Sequence, residues 1–295
     1  MAKFLQLSAG SVLKQTYKNF ELIIVDDASE DNTEEIIKQF NDKRIKYIKR
    51  DQKGGVSSAR NCGIDNSRGD YIAFLDADNE WMENKLEKQM FKFENVSDDV
   101  GLVYTHYLGI FLTSGEVICE FKGCYSGDVE ADLAVGCFLG VCAVIIRRKC
   151  IEKVGYFDPD VDYNEDWDLW LRIAKYYKFD FIPEFLAKYY VHGNQLSCNL
   201  SPMVVAWENF LDKHKDMYEK MPSIYSMHLD YLGRISCFDD QFKKGRGYFL
   251  KSIKYKPVQK SGYLNLGLSF ISSNLHKNYI DKTLFKKKNG IRLYK

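Results

Sequence analysis

Short apolar runs alternate with charge-rich amphipathic segments through the first 110 positions. Phe20–Val25 and Tyr71–Leu75 are uninterrupted enough to read as buried strands, and Val100–Thr105 reads the same way. Arg44–Ile48 alternates like a half-buried strand. Between them, Glu30–Phe40 and Val56–Ser67 have helical texture. Ser29 or Asp31 is placed to cap the first, and Ser57 lies near the start of the second. Trp81–Phe93 carries Leu86, Met90 and Phe93 at helical spacing. Strands and helices in this alternation predict a parallel α/β sheet with helices on both faces.

From 106 to 150 the pattern changes. Ile110–Leu112 and Glu116–Phe121 read as a meander turning at Gly115, and Gly140–Ile146 as a short apolar strand. Glu165–Tyr177 is strongly amphipathic, and Phe185–Val191 is a late strand. Beyond 200 the chain reads as helical and rich in Lys and Tyr, so the expected organisation is a domain over 1–200 and a helical region over 201–295.

Composition narrows the class. Hydrophobic residues at 45% and charged residues at 28% exclude wholesale disorder. Lys+Arg 42 against Asp+Glu 41 gives a net +1, which leaves no whole-chain footprint for nucleic acid. No apolar run is long enough for a spanning helix, and the eight cysteines form no CxxC pair. The expected setting is the reducing cytoplasm, with free thiols.

Four clusters carry chemistry. Two apolar strands end in acids: Leu22–Val25 runs into Asp26 and Asp27, and Tyr71–Leu75 into Asp76 and Asp78. Ligands of open α/β sheets bind outside the carboxyl ends of the strands. Two carboxylates one residue apart suit Mg²⁺ or Mn²⁺, with substrate phosphates completing the shell. The alternative is that these acids are turn and cap residues. Third, Gly54 and Gly55 free the backbone ahead of a helix start that favours anions, with Arg60 one to two turns in. Fourth, Asp162, Glu165, Asp166 and Asp168 crowd another helix start, where the dipole favours ionised carboxylates. A general base there competes with plain N-terminal charge capping.

Taken in order, five segments resemble family 2 glycosyltransferases of the GT-A fold. They are Gln15–Ser29 (QTYKNFELIIVDDAS), Gly55–Asn61 (GVSSARN), Phe74–Asp78 (FLDAD), Gly155–Asp158 (GYFD) and Glu165–Trp170 (EDWDLW). Tyr190–His192, with Asn194 and Ser197, is similar to the family's closing segment. The resemblance covers about residues 1 to 200. It implies a mostly parallel, Rossmann-like sheet flanked by helices, with a helical C-terminal extension. It also implies inverting transfer from a nucleotide-diphosphate sugar, usually a UDP-sugar, to a hydroxyl acceptor in surface polysaccharide or glycolipid synthesis. By position, Asp27 would bind the base with Arg60 beside it, and Asp76 the ribose or the metal. Asp78 would ligate Mn²⁺ or Mg²⁺, His192 would be a further metal or phosphate contact, and Asp166 would be the catalytic base. Glu165, Trp167 and Trp170 are expected at the acceptor, a saccharide or lipid-linked molecule, although core packing is the better reading for at least one of the tryptophans, which share an amphipathic helix with Leu169 and Ile173.

One departure matters. The family's domain opens with a strand reading roughly Val-Ile-Ile-Pro-Thr-Tyr-Asn, which lies mid-sheet, and this chain begins at what resembles the helix after it. The expectation is a start upstream or a weakened variant, poorly stable or poorly active unless another segment fills the gap. The competing reading is therefore a catalytically impaired GT-A-like binding or scaffold protein. A sugar nucleotidyltransferase fits less well, because its Gly-rich Arg-Lys signature is absent from the sequence. In the basic region after 200, Leu264–Ile271 and the Lys286–Lys288 cluster make an anionic membrane surface a candidate partner, at the inner face of the plasma membrane. The alternative there is a soluble helical cap.

Overall fold

The computed structural model describes residues 2–161, 163–192, 200–288 and 291–294. The chain divides into two compact units, Met1–His192 and Gly193–Lys295.

The first unit opens with α1 (Ala2–Leu13), β1 (Leu22–Asp26), α2 (Thr33–Lys38), β2 (Ile45–Lys49), α3 (Gly55–Asp65), β3 (Tyr71–Ala73), β4 (Glu80–Trp81) and α4 (Lys85–Glu94). It continues with β5 (Val100–Phe111), β6 (Val117–Phe121), α5 (Glu130–Val135) and a 3₁₀ turn at Val141–Ala143. β7 (Val144–Arg147), α6 (Arg148–Val154), α7 (Glu165–Ala174) and β8 (Lys178–Val191) complete it. The unit is an α/β fold in which helices flank the strands, as expected.

The ladder is more mixed than its apolar runs implied. β1 and β2 pair in parallel, as do β5 and β8. β7 joins both β3 and β5 antiparallel, and β6 and β4 are antiparallel additions to β5 and β8. The order β3-β7-β5-β8-β4 puts β5, fully buried along its first half, at the centre. Two faces of one apolar strand are buried by parallel and antiparallel neighbours alike, so an apolar run does not encode pairing direction.

The sheet is also divided. Among the described residues, β1 and β2 form a two-stranded sheet that shares no ladder with the six-stranded one, so there β1 pairs only with β2, and β3 only with β7. Between them lies a cavity of about 750 Å³, lined by Phe20, Leu22 and Val25 on one side and Ile72, Phe74 and Leu75 on the other. Leu22 to Val25 are apolar enough for a sheet interior, yet they stay half-buried.

Packing around this frame is dense. Trp81, Leu86, Phe93, Val103, Cys142 and Ile145 form the main core, and Leu5, Ala9, Ile36 and Ile37 seal the outer face of the small sheet. Gln15, fully buried, stitches α1 to α4: its amide donates to the carbonyl oxygens of Ser11 and Met82 and accepts from the Leu86 N–H.

The second unit is helical: α8 (Leu200–Lys213), α9 (Lys215–Glu219), α10 (Pro222–Phe238), α11 (Phe242–Tyr255), α12 (Lys260–Ile271) and α13 (Ser273–Leu284). It ends in an antiparallel hairpin of β9 (Phe285–Lys288) and β10 (Ile291–Tyr294), where the sequence reads as helix throughout. No helix among the described residues is long and apolar enough to cross a membrane.

Candidate active site

Each acid-ending strand delivers a carboxylate to α3 or the residue before it. At the end of β1, Asp26 is buried, and its carboxylate accepts from the Tyr47 hydroxyl at 2.6 Å and the Ser29 N–H at 2.8 Å. Burial pushes this carboxyl up, but the hydrogen bonds outweigh it and hold the group below its usual range. Asp27 faces the start of α3. Its oxygens accept from Arg50 at 2.5 Å, from Gly54 N–H at 3.0 and 3.1 Å and from Gly55 N–H at 2.9 Å. The loop needs its glycines: Gly55 has φ of 81°, and a Cβ on Gly54 would lie 2.5 Å from Arg50 Nη2.

Arg60, on α3, is the hub. Its side chain is only 10% exposed. Nη2 donates to Asp76 Oδ1 at 2.9 Å and Nη1 to Glu165 Oε1 at 2.8 Å, joining α3, the end of the β3 segment and the start of α7. The guanidinium lies 5.2 Å from the centre of the Phe157 ring. Phe157 is fixed in turn, since Asn61 Nδ2 donates to its carbonyl at 2.8 Å and Asn61 Oδ1 accepts its N–H at 3.0 Å. Burial alone lowers the affinity of Arg60 for its proton. Asp76 and Glu165 more than reverse that, so the cation is held permanently.

Asp166 sits beside this ion pair. Burial and then the neighbouring Glu165 push its carboxyl far above the carboxylate range; Arg60 and the Trp167 N–H, 2.7 Å from Oδ1, oppose them. Asp78 is raised as well, first by burial and then by Asp76, against a hydrogen bond with His192. Its Oδ2 lies 3.1 Å from His192 Nε2, and the His192 ring stacks on Phe4 at 5.5 Å. Asp78 and Asp166 each feel the charge of Asp76, which adds to the rise of both carboxyls.

A family model described as glycosyl transferase family 2 matches residues 2–155, more than half of the chain. The chain belongs to this family. It is 28% identical to an uncharacterized glycosyltransferase of Rickettsia prowazekii over 299 residues, covering 99% of this chain and 93% of that protein. It is 33% identical over 205 residues to the Escherichia coli UDP-Glc:alpha-D-GlcNAc-diphosphoundecaprenol beta-1,3-glucosyltransferase WfaP, covering 68% of this chain and 77% of the relative. The fold is similar to that of Staphylococcus aureus TarS residues 1–349 in complex with UDP-GlcNAc, with a TM-score of 0.64 at 14% identity over 99% of this chain and 92% of TarS 1–349. The chain spans 54% of a longer TarS chain. This family 2 member is therefore a glycosyltransferase with the GT-A fold.

Two sequence expectations need correction. Trp167 and Trp170 offer no platform to an acceptor sugar. Trp167 is 3% exposed and donates through Nε1 to the Leu133 carbonyl; Trp170 is fully buried, edge-on to Phe157. They lie on the apolar stripe of α7 with Leu169 and Ile173, and burial of that stripe decides their position. Glu165 is likewise engaged by Arg60 and 11% exposed. Asp162, Asn194 and Ser197 lie outside the described residues.

Other functional contacts escaped sequence reasoning. Arg50 shares Asp27 with the glycine loop and also donates to Ser58 at 2.8 Å. Asn79, 1% exposed, accepts the Tyr190 N–H at 3.2 Å and so ties the FLDAD segment to β8. Its place directly after that segment was the available signal.

The residues fit a divalent cation as an incomplete set. Asp78 and His192 supply an oxygen and a nitrogen side by side, with the Asp76 charge close enough to raise Asp78. No group of three or more His, Cys, Asp or Glu among the described residues forms a full cage. Two protein donors leave most of the shell to a ligand's phosphates and water, the usual arrangement for Mg²⁺.

Proposed function

We propose that this glycosyltransferase moves a sugar, with inversion, from a UDP-sugar to a hydroxyl of a saccharide or lipid-linked acceptor in polysaccharide or glycolipid synthesis. The observation carrying the proposal is the Arg60 bridge. One buried guanidinium binds Asp76, two residues from Asp78, and Glu165, the neighbour of Asp166, which supports a site built from both segments. The UDP complex of TarS and the donor in the name of the E. coli relative support the nucleotide.

In this reading Asp166 takes the proton from the acceptor hydroxyl as the oxygen bonds to the anomeric carbon. The bond from that carbon to the diphosphate breaks and UDP departs with both electrons. A base with ordinary carboxylate affinity takes such a proton poorly, and burial beside Glu165 raises the affinity of Asp166 toward that task. Asp78 and His192 would hold Mn²⁺ or Mg²⁺, which supplies Lewis-acid neutralisation of the diphosphate when bound. Arg60 keeps Asp76 oriented toward the ribose. Asp27 closes the glycine loop that borders the base, and meets the nucleotide as part of that loop because its oxygens are already engaged.

A binding or scaffold role is the second reading, and the open slot between β1 and β3 favours it. Turnover of UDP-, GDP- and dTDP-sugars with Mn²⁺ separates the two. Release of UDP from one of its sugars supports the enzyme; UDP binding without release of any nucleotide supports the scaffold.

A further inference from the structure

The helix α12 is built inside out. Its buried face carries Gly262, Asn265 and Ser269, whereas Tyr263, Leu264, Gly267, Phe270 and Ile271 recur at helical spacing along its exposed face. Phe270 is 67% and Ile271 74% exposed, and Leu275, just beyond at the start of α13, is 52% exposed. The inversion is held from inside: Asn265 donates to Asp230 at 3.1 Å and Arg246 donates to the Ser269 carbonyl at 2.9 Å. Polar contacts therefore fix which side faces the protein; on the apolar side Arg246 lies 4.1 Å over the Phe270 ring, and the stripe otherwise faces water.

The charge around this face has one sign. From Gln241 to Ile280 the chain has seven lysines and one arginine, and no Asp or Glu. Lys260 lies on the exposed stripe itself, and Lys251, Lys254 and Lys256 lead into it along α11 and the turn that follows. No carboxylate pairs with these four among the described residues. Val258, 81% exposed, projects from the same turn.

We propose that the α12 face of the second unit docks on the surface of an anionic lipid bilayer, with Leu264, Phe270 and Ile271 entering the headgroup boundary and the lysines meeting lipid phosphates. The occupant follows from charge complementarity. An apolar stripe rimmed by lysine is the pattern of an interfacial helix. A second copy of the same face would bring like charges together, which disfavours a symmetric dimer.

The test is sedimentation of the full chain with vesicles of phosphatidylcholine alone or mixed with phosphatidylglycerol, at low and high salt. The chain is expected to pellet with the anionic vesicles about tenfold more strongly than with neutral ones, and added salt to weaken but not abolish it. Leu264→Ser with Ile271→Ser, both at exposed positions, should lose about tenfold in binding with unchanged Tm. Phe270→Trp should show a blue shift in emission only with anionic vesicles. Equal pelleting with both vesicle types overturns the proposal, as does unaltered binding by the double variant. A concentration-dependent dimer that the double variant abolishes, with no vesicle binding by the parent chain, overturns it too.

Discussion

Arg60 and Glu165 stand 105 positions apart in the chain and meet at 2.8 Å. Their contact is the seam between the half of the domain that carries the glycine loop and the helix that carries Asp166. Because the Arg60 side chain is only 10% exposed, both ends of the bridge have lost most of their water.

Arg60→Ala leaves Asp76 and Glu165 facing each other without the cation. Breaking a buried pair from one side costs about 3–5 kcal/mol. Urea unfolding should show that loss, and transfer should fall by orders of magnitude. Arg60→Lys keeps the charge but cannot span two carboxylates, so it should recover stability better than activity.

The pH profile has a definite sign. Burial and Glu165 push Asp166 up to about 7. As a base it works ionised, so kcat/KM should rise through a limb near neutrality, well above the range of a free carboxylate. Glu165→Gln removes the like charge and should move the limb to lower pH. Stability runs the other way. A folded-state affinity above the unfolded one stabilises at low pH, and that contribution is lost as pH rises through the folded value. Asp166→Asn should therefore melt higher than the parent chain at pH 8 and show a flatter dependence of Tm on pH.

Lys85 gives the opposite slope. Its amine is fully buried, 4.2 Å from the Trp81 ring centre, and has no hydrogen-bond partner among the described residues. Burial pulls it down to about 7. The unfolded chain binds that proton more tightly, so Lys85 costs stability as pH falls from about 10 toward 7. Lys85→Met should raise the urea midpoint at pH 7, with a gain in unfolding free energy on the order of 1–3 kcal/mol for relief of an unsatisfied buried donor. The gain should shrink at pH 10.

Among the described residues, β1 is paired on one side only, with β2, and its other side borders the cavity of about 750 Å³. Amide exchange in Leu22–Asp26 should therefore be faster than in the first half of β5, which has β7 and β8 on its two sides. Equal exchange in the two strands would contradict this.

Most of the architecture was legible because burial writes itself into runs of one residue type. Leu22–Val25 and Tyr71–Leu75 announced strands, the acids after them announced an edge, and the order of five loose motifs announced the family. What stayed hidden depends on partners distant in sequence. Nothing local to Arg60 names Glu165, and nothing local to Asp27 says that the Gly54 and Gly55 amides will engage it. Lys85 reads as a solvated helix residue, and only the packing of α4 against Trp81 buries it. The acids of α7 were readable as a site, but the tryptophans beside them were not separable from core until α7 had neighbours. The polar inner face of α12 breaks the pattern altogether, because Asp230 and Arg246 reach it from other helices.

The decisive measurement is a paired assay of Asp166→Asn and Asp78→Ala with the productive UDP-sugar, following sugar transfer and Mn²⁺-dependent UDP binding side by side. Asp166→Asn should lose transfer by about 10²-fold or more, the scale of a removed general base, while binding UDP as the parent chain does. Asp78→Ala should lose both. Near-normal transfer by Asp166→Asn, or metal-dependent UDP binding intact in Asp78→Ala, would contradict the division of roles across the Arg60 bridge.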